Sequence, residues 1–262
     1  MFFAKAGEVE PCGIFTLGHL ILVIIFLGII AIAVKFTNIK NNETIKKLIQ
    51  KLTIIMWLFE IVKIIYNSMY AGGLVINKVI PLYYCSLLLY AGILSSIGKN
   101  KVKRIGDVFL ASGSIVAGIV FYIFPTTSLP EYPIIHFISI YSFLFHGIMI
   151  YLGIIINKYK YIILEKKDIK YYSILILCMC ILAYIVNYFC DSNLMFISKD
   201  FPTTPITYIY KFTGKLFPIV MSIAQMTLPF YIVYGIIKIK RKINMKKILV
   251  LNGGENKWIK MN

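Results

Sequence analysis

Apolar residues fall along this chain in seven blocks, near residues 17–34, 52–70, 81–97, 106–124, 134–157, 172–190 and 216–237, with polar stretches between them. A helix rising 1.5 Å per residue needs about 20 residues to cross a hydrocarbon core of about 30 Å. Five blocks meet that length, and the first and third fall slightly short of it. The pattern predicts an all-α, polytopic membrane protein: a seven-transmembrane-helix bundle over residues 1–240 as one domain, followed by a basic tail at 241–262. The first block has no basic segment before it and no small-residue cleavage site after it, so it reads as a retained helix rather than a signal peptide.

Lysine and arginine are unevenly divided between the connections. The amino-terminal segment and the stretches around 71–80, 125–133 and 191–215 hold five, against twenty-two in the other loops and the tail, with Lys63 left inside a block. Basic residues accumulate on the cytoplasmic side. The expected orientation is therefore N-terminus outside and C-terminus cytoplasmic, in a multi-pass protein of the cell membrane. The same asymmetry accounts for the net charge of +17, so the charge points to topology and anionic headgroups rather than to nucleic acid. No protein partner can be identified from it.

Composition agrees, with 59% hydrophobic and only 15% charged residues. The five cysteines, Cys12, Cys85, Cys178, Cys180 and Cys190, make no disulfide framework. With His19, His136 and His146 they form no metal-ligand spacing, and no cofactor motif is visible. The stretch 191–215, with its prolines and threonines, suggests an ordered cap or re-entrant segment rather than a helix. "MKKILVLNGG" at 245–254 reads as a strand entering a glycine turn, too near the end of the chain to open a nucleotide-binding domain.

Ionisable groups inside apolar blocks are expensive and face the bundle interior or a cavity. In the second block Glu60, Lys63, Asn67 and Tyr70 fall on one helical stripe, and Glu60 can pair with Lys63. The fifth block carries Ser139, Ser142 and His146 on one face, with His136 near its outer end. The sixth brings Tyr184, Asn187 and Asp191, and the seventh Ser222 and Gln225. These groups form either an outward-opening polar pocket or hydrogen-bonding glue between helices. Gly92 with Ser96, and Gly113 with Ala117, have the spacing that lets helices approach closely.

Cys85, in "PLYYCSLLLY" at 81–90, is expected about one turn into the third helix. A buried thiol often only fills space, but with a base nearby it is a strong nucleophile. His146 is the candidate base. With its helix starting at 134, helical rise sets it about 12 Å deeper than Cys85, a gap that tilt could close.

"LFEIVKIIY" at 58–66, "PLYYCSLLLY", "SFLFHG" at 142–147 and "VNYFCDSNLMF" at 186–196 together resemble the transmembrane protein 164 acyltransferase family and its bacterial YwaF-like relatives. The resemblance covers roughly residues 55–235. It implies membrane-embedded acyl transfer in which Cys85 accepts a fatty acyl chain from a phospholipid. His146 would deprotonate the thiol and then activate a lipid acceptor such as a lysophospholipid. Asn187 and Asn193 would orient the histidine or donate to an oxyanion. The family pattern sets a histidine close to the cysteine, whereas here the neighbours are Tyr83, Tyr84 and Ser86. Glu60, Lys63, Asn67, Asp191 and Gln225 are the expected substrate-binding or orienting groups.

The competing reading is a transporter or ligand sensor with no covalent step, motivated by Glu60, Lys63 and Asp191 around a pocket. Carriers usually show broken helices and two-fold internal repeats, and no repeat is visible here. A retinal-type receptor would need a lysine deep in the last helix, and Lys215 stands at its mouth. A structural scaffold is the third possibility.

Overall fold

The computed structural model describes residues 2–70, 75–202 and 204–251, and the described residues are helical with no strand. The helices are α1 (Leu17–Phe36), α2 (Asn42–Tyr70), α3 (Ile76–Val79), α4 (Leu87–Ile97), α5 (Asn100–Ala111), α6 (Gly113–Ile123), α7 (Phe137–Lys158), α8 (Ile169–Cys190), α9 (Ile206–Thr213) and α10 (Phe217–Leu251). Five stretches are long and apolar enough to cross a membrane: Leu17–Phe36, Asn100–Ile123, Phe137–Lys158, Lys166–Cys190 and Ile206–Asn244. The expectation of an all-helical membrane protein holds.

α7 is the central post. It packs against α1, α2, α5 and α6, and Phe143, Met149, Ile155 and Ile156 along it are fully buried. α8 and α10 pack on each other at one flank, while α1 closes the other flank through Leu22, Phe26 and Ile30 against Phe121 and Phe143.

The helix expected over 106–124 is two helices. Ser112, at φ −130° and ψ −75°, breaks the run between α5 and α6. A break in an apolar interior frees backbone groups that must find partners. Asn157 of α7 supplies one, donating to Ala111 O at 2.7 Å, and Ser114 Oγ reaches Leu110 O and Met149 O.

α5 also begins earlier than expected, at Asn100, and takes up the basic residues assigned to a loop. Lys103 pairs with Asp107 at 2.6 Å, and Arg104 grips Asp168 with two nitrogens. Both carboxylates are buried. This end of the bundle is thus tied by paired charges rather than by free surface lysines.

The helix expected over 81–97 is shortened to Leu87–Ile97. Eleven residues at 1.5 Å each span only about half a hydrocarbon core. Pro81 disfavours helical backbone at the residue before it. The following residues are held instead by i to i+3 bonds, Leu87 N to Tyr84 O and Leu88 N to Cys85 O.

Two further expectations change. The stretch 191–215 contains a helix, α9, together with the 3-10 turns Leu194–Phe196 and Gly214–Leu216. α10 runs on through Leu251, so residues 245–251 are helical rather than a strand. The remainder of the expected tail, 252–262, and residues 71–74 of the expected second loop lie outside the described residues.

Small residues do set close approaches. Gly92 of α4 faces the Thr53 side chain of α2, and Gly106 of α5 lies against the backbone of Ala91 and Ser95 in α4. An alanine methyl at Gly106 would meet main-chain atoms that cannot rotate away. In an exposed helix Gly→Ala would stabilise by about 1 kcal/mol. Here Gly106→Ala is expected to destabilise by about 1–3 kcal/mol, read as a lower thermal midpoint of the detergent-solubilised protein.

Candidate functional site

The polar stripe of α2 faces inward where it carries charge. Glu60 is 1% exposed. Its Oε1 holds Lys63 Nζ at 2.5 Å, and its Oε2 accepts a hydrogen bond from the hydroxyl of Tyr141 on α7. The Lys63 ammonium also lies 5.8 Å from the centre of the Tyr141 ring. A carboxylate buried this deeply needs both partners, because an unpaired charge in such a place is strongly unfavourable. Farther along the helix, buried Asn67 donates to Lys78 O at 2.7 Å.

Cys85 is half-buried in the turn between Pro81 and α4, not on the helix itself. The turn is braced from several sides. Tyr90 OH donates to Pro81 O, and Met195 N donates to Leu82 O at 3.1 Å. The Tyr83 ring packs 5.0 Å from Phe196, and Tyr84 shares a hydrogen bond with Tyr172. The tyrosines preceding the thiol therefore act as anchors for its backbone.

His146 is buried on α7 with its ring flat against Phe121, centroids 3.7 Å apart and planes within 7°. Nδ1 lies 2.7 Å from Ser142 O. A carbonyl only accepts, so Nδ1 carries the proton and Nε2 presents its lone pair. Among the described residues no hydrogen bond joins Cys85 Sγ to His146, and none is made by His146 Nε2.

The remaining expected residues make their hydrogen bonds elsewhere. Asn187 donates to Leu194 O and Ser198 Oγ and accepts from Ser192 Oγ and Leu194 N. Asn193 bonds Lys199 O, Ser198 N, Lys199 N and the side chain of Asn77. Both side-chain amides help knit residues 191–199 together. Asp191 is exposed at the end of α8 in a left-handed conformation, φ 49°, and pairs with Lys199 at 2.7 Å. Gln225 donates to Met195 O at 2.9 Å, while its Oε1 is buried without a partner. Ser139 Oγ, one face away from Tyr141, is likewise buried and unpartnered.

Tyr141 is the residue that periodicity missed. It is one position off the Ser139–Ser142–His146 face, and only the third dimension turns it toward Glu60. Among the described residues no group of three or more His, Cys, Asp or Glu side chains converges as metal ligands do.

A family model described as the TMEM164 family matches residues 14–239. The chain belongs to the TMEM164 family. No curated protein and no solved structure matches it. As a membrane protein of the TMEM164 family, it carries the whole Glu60–Lys63–Tyr141 cluster, Cys85 and His146 inside the matched region. The resemblance read from the four sequence motifs is thus upheld at the level of the family. Residues 2–13 of this TMEM164 family member precede the matched region.

Proposed function

We propose that this protein is a multi-pass enzyme of the cell membrane that moves a fatty acyl chain from a phospholipid to a lipid acceptor such as a lysophospholipid. In this reading α2 and α4 join the five long apolar stretches to make seven spans, with the N-terminus outside and the C-terminus cytoplasmic. Cys85 attacks the ester carbonyl of the donor. The thiol proton passes to His146 Nε2 and from there to the departing lysophospholipid oxygen, and the acyl chain remains as a thioester on Sγ. His146 then takes a proton from the acceptor hydroxyl, which attacks the thioester and restores the thiol.

The observation that carries this reading is the His146 ring, buried with Nδ1 held to Ser142 O at 2.7 Å and with no hydrogen bond on Nε2 among the described residues. In this reading Lys63 takes the part of the histidine that the family pattern sets next to the cysteine, because positive charge near a thiol favours the thiolate. Glu60 and Tyr141 fix where that charge sits. Support also comes from the His146 tautomer, whose free Nε2 is the form a general base requires. The thiol and Nε2 come within reach of each other when substrate is bound, as catalytic contacts that are long in the free protein often do.

The test is intact-protein mass spectrometry after incubation with a defined diacyl phospholipid. A mass increase of one acyl chain, mapped to Cys85 and released by hydroxylamine, is expected. No adduct under conditions where the protein binds lipid would turn the assignment toward the non-covalent transporter or sensor. That second reading draws on a cavity of about 220 Å³ lined by Tyr66, Asn67, Tyr70, Lys78 and Tyr132.

A further inference from the structure

The segment before α1 crosses one end of the bundle and is fastened there at several points. Phe2 O accepts from Phe137 N at 3.0 Å, and the Phe3 ring packs against Tyr66 and Phe137. Lys5 Nζ lies 5.8 Å from the centre of the Tyr70 ring. At the far end Cys12 N donates to Tyr132 O and Gly13 N donates to Leu129 O. Between these ties Ala6 forms part of the wall of the 220 Å³ cavity. That cavity stands at the end of the α2 stripe, with Asn67 two turns from Glu60.

One contact in this set differs from the rest. Ala4 O accepts from Tyr66 OH at 2.5 Å and from His136 Nε2 at 3.1 Å, and the hydroxyl and Nε2 are themselves 3.3 Å apart. His136 caps α7, its Nδ1 accepting from Ile138 N at 3.1 Å. The ring is fully buried and stacked on Tyr132, centroids 4.1 Å apart. Both nitrogens are therefore committed in the neutral ring, Nε2 as donor and Nδ1 as acceptor. A second proton can go only onto Nδ1, where it would oppose the Ile138 N–H.

We propose that residues 2–13 are a lid over the Tyr66–Asn67–Tyr70–Tyr132 cavity, latched by the Tyr66–Ala4–His136 contact and released when His136 takes up a proton.

Among the described residues the groups facing the imidazole are Tyr66 from α2 and Tyr132 from the loop before α7. Tyr70, Glu8 and Glu131 act in turn on Tyr66. Among the described residues no carboxylate is hydrogen-bonded to the ring, so nothing there holds the imidazolium in the latched form. Burial lowers the His136 imidazole below the ordinary histidine range, opposed by the Ala4 carbonyl. In the released form the ring returns to the ordinary histidine value. The released form then binds more protons below that value, so acidification shifts the balance toward opening. The lid does not rest on acyl transfer, and its test uses no turnover.

The experiment is peptide-resolved hydrogen exchange of the full chain in nanodiscs, at about pH 7.5 and about pH 5.5, on either side of the ordinary histidine range. Rates are corrected for intrinsic exchange. In the wild type, residues 2–13 and the Phe137 amide are expected to exchange about three- to tenfold faster in acid, the range that losing one hydrogen bond implies. His136→Asn keeps a good capping acceptor but cannot titrate, and should exchange alike at both pH values. Tyr66→Phe should loosen the segment at both. A cysteine placed by Asn67→Cys, alkylated at about pH 7.5 where histidine is neutral, should react faster when combined with Tyr66→Phe. Equal exchange at the two pH values in the wild type, or an acid response that survives His136→Asn, would overturn the latch. Alkylation of the Asn67→Cys thiol that is unaffected by Tyr66→Phe would overturn the lid.

Discussion

Cys85→Ala, purified and reconstituted in liposomes, is expected to lose acyl exchange to background while keeping the wild-type melting curve. Alanine removes the only sulfur the proposed chemistry uses, and the turn that carries it is anchored through Pro81, Leu82, Tyr83 and Tyr84 rather than through the thiol. His146→Ala should reduce exchange by about 10²–10⁴-fold, the usual contribution of a positioned general base. It should also lower stability, since the Phe121 ring loses its stacked partner. The pattern across the two variants matters more than either value. A thioester that still forms but no longer turns over in His146→Ala would confine the histidine to the second step. Exchange that survives both substitutions refutes the pair.

Glu60 is expected to give the largest loss of stability of any single substitution in the cluster. Glu60→Ala strands Lys63 beside an apolar core and removes the acceptor of the Tyr141 hydroxyl. Breaking one side of a buried ion pair costs about 3–5 kcal/mol. The double variant Glu60→Leu/Lys63→Leu should recover most of that, because a well-packed apolar pair of similar volume is often as stable as the ions. Tyr141→Phe should cost less, about 1–3 kcal/mol for an unsatisfied buried partner. Thermal denaturation in one detergent reads all three. If the double variant is as unstable as Glu60→Ala, packing rather than charge explains the loss. If it is stable yet inactive in exchange, the pair is retained for function, which is what the proposed chemistry requires.

The sequence carried different parts of this molecule with different clarity. Apolar blocks announced α1, α7, α8 and α10, because a long uncharged run has few other stable states in lipid. The stripe Glu60, Lys63, Asn67 was legible for the same reason, since charge in such a run must face protein. The break at Ser112 was not, because its cause lies forty-five residues away, in the Asn157 amide that accommodates the freed Ala111 carbonyl. Nor was the turn holding Cys85, whose shape depends on Phe196 and Tyr172 from distant segments. Asn187 and Asn193 look the same in sequence whether they serve a substrate or a loop, and only their hydrogen bonds distinguish the two. Tyr141 was hidden among nineteen tyrosines, most of which need no special explanation in a membrane bundle.

The interruption at Ser112 bears on more than the count of helices. Phe121, the flat support behind the His146 ring, belongs to α6, whereas the Lys103–Asp107 and Arg104–Asp168 ties belong to α5. A continuous helix would be a single lever, carrying any tug of lipid headgroups on those basic side chains straight to the imidazole. Divided at Ser112 and joined across the gap by a side-chain amide, it is instead two shorter elements, each fixed by its own contacts: the charged end by α4 and Asp168, the end behind the ring by α7.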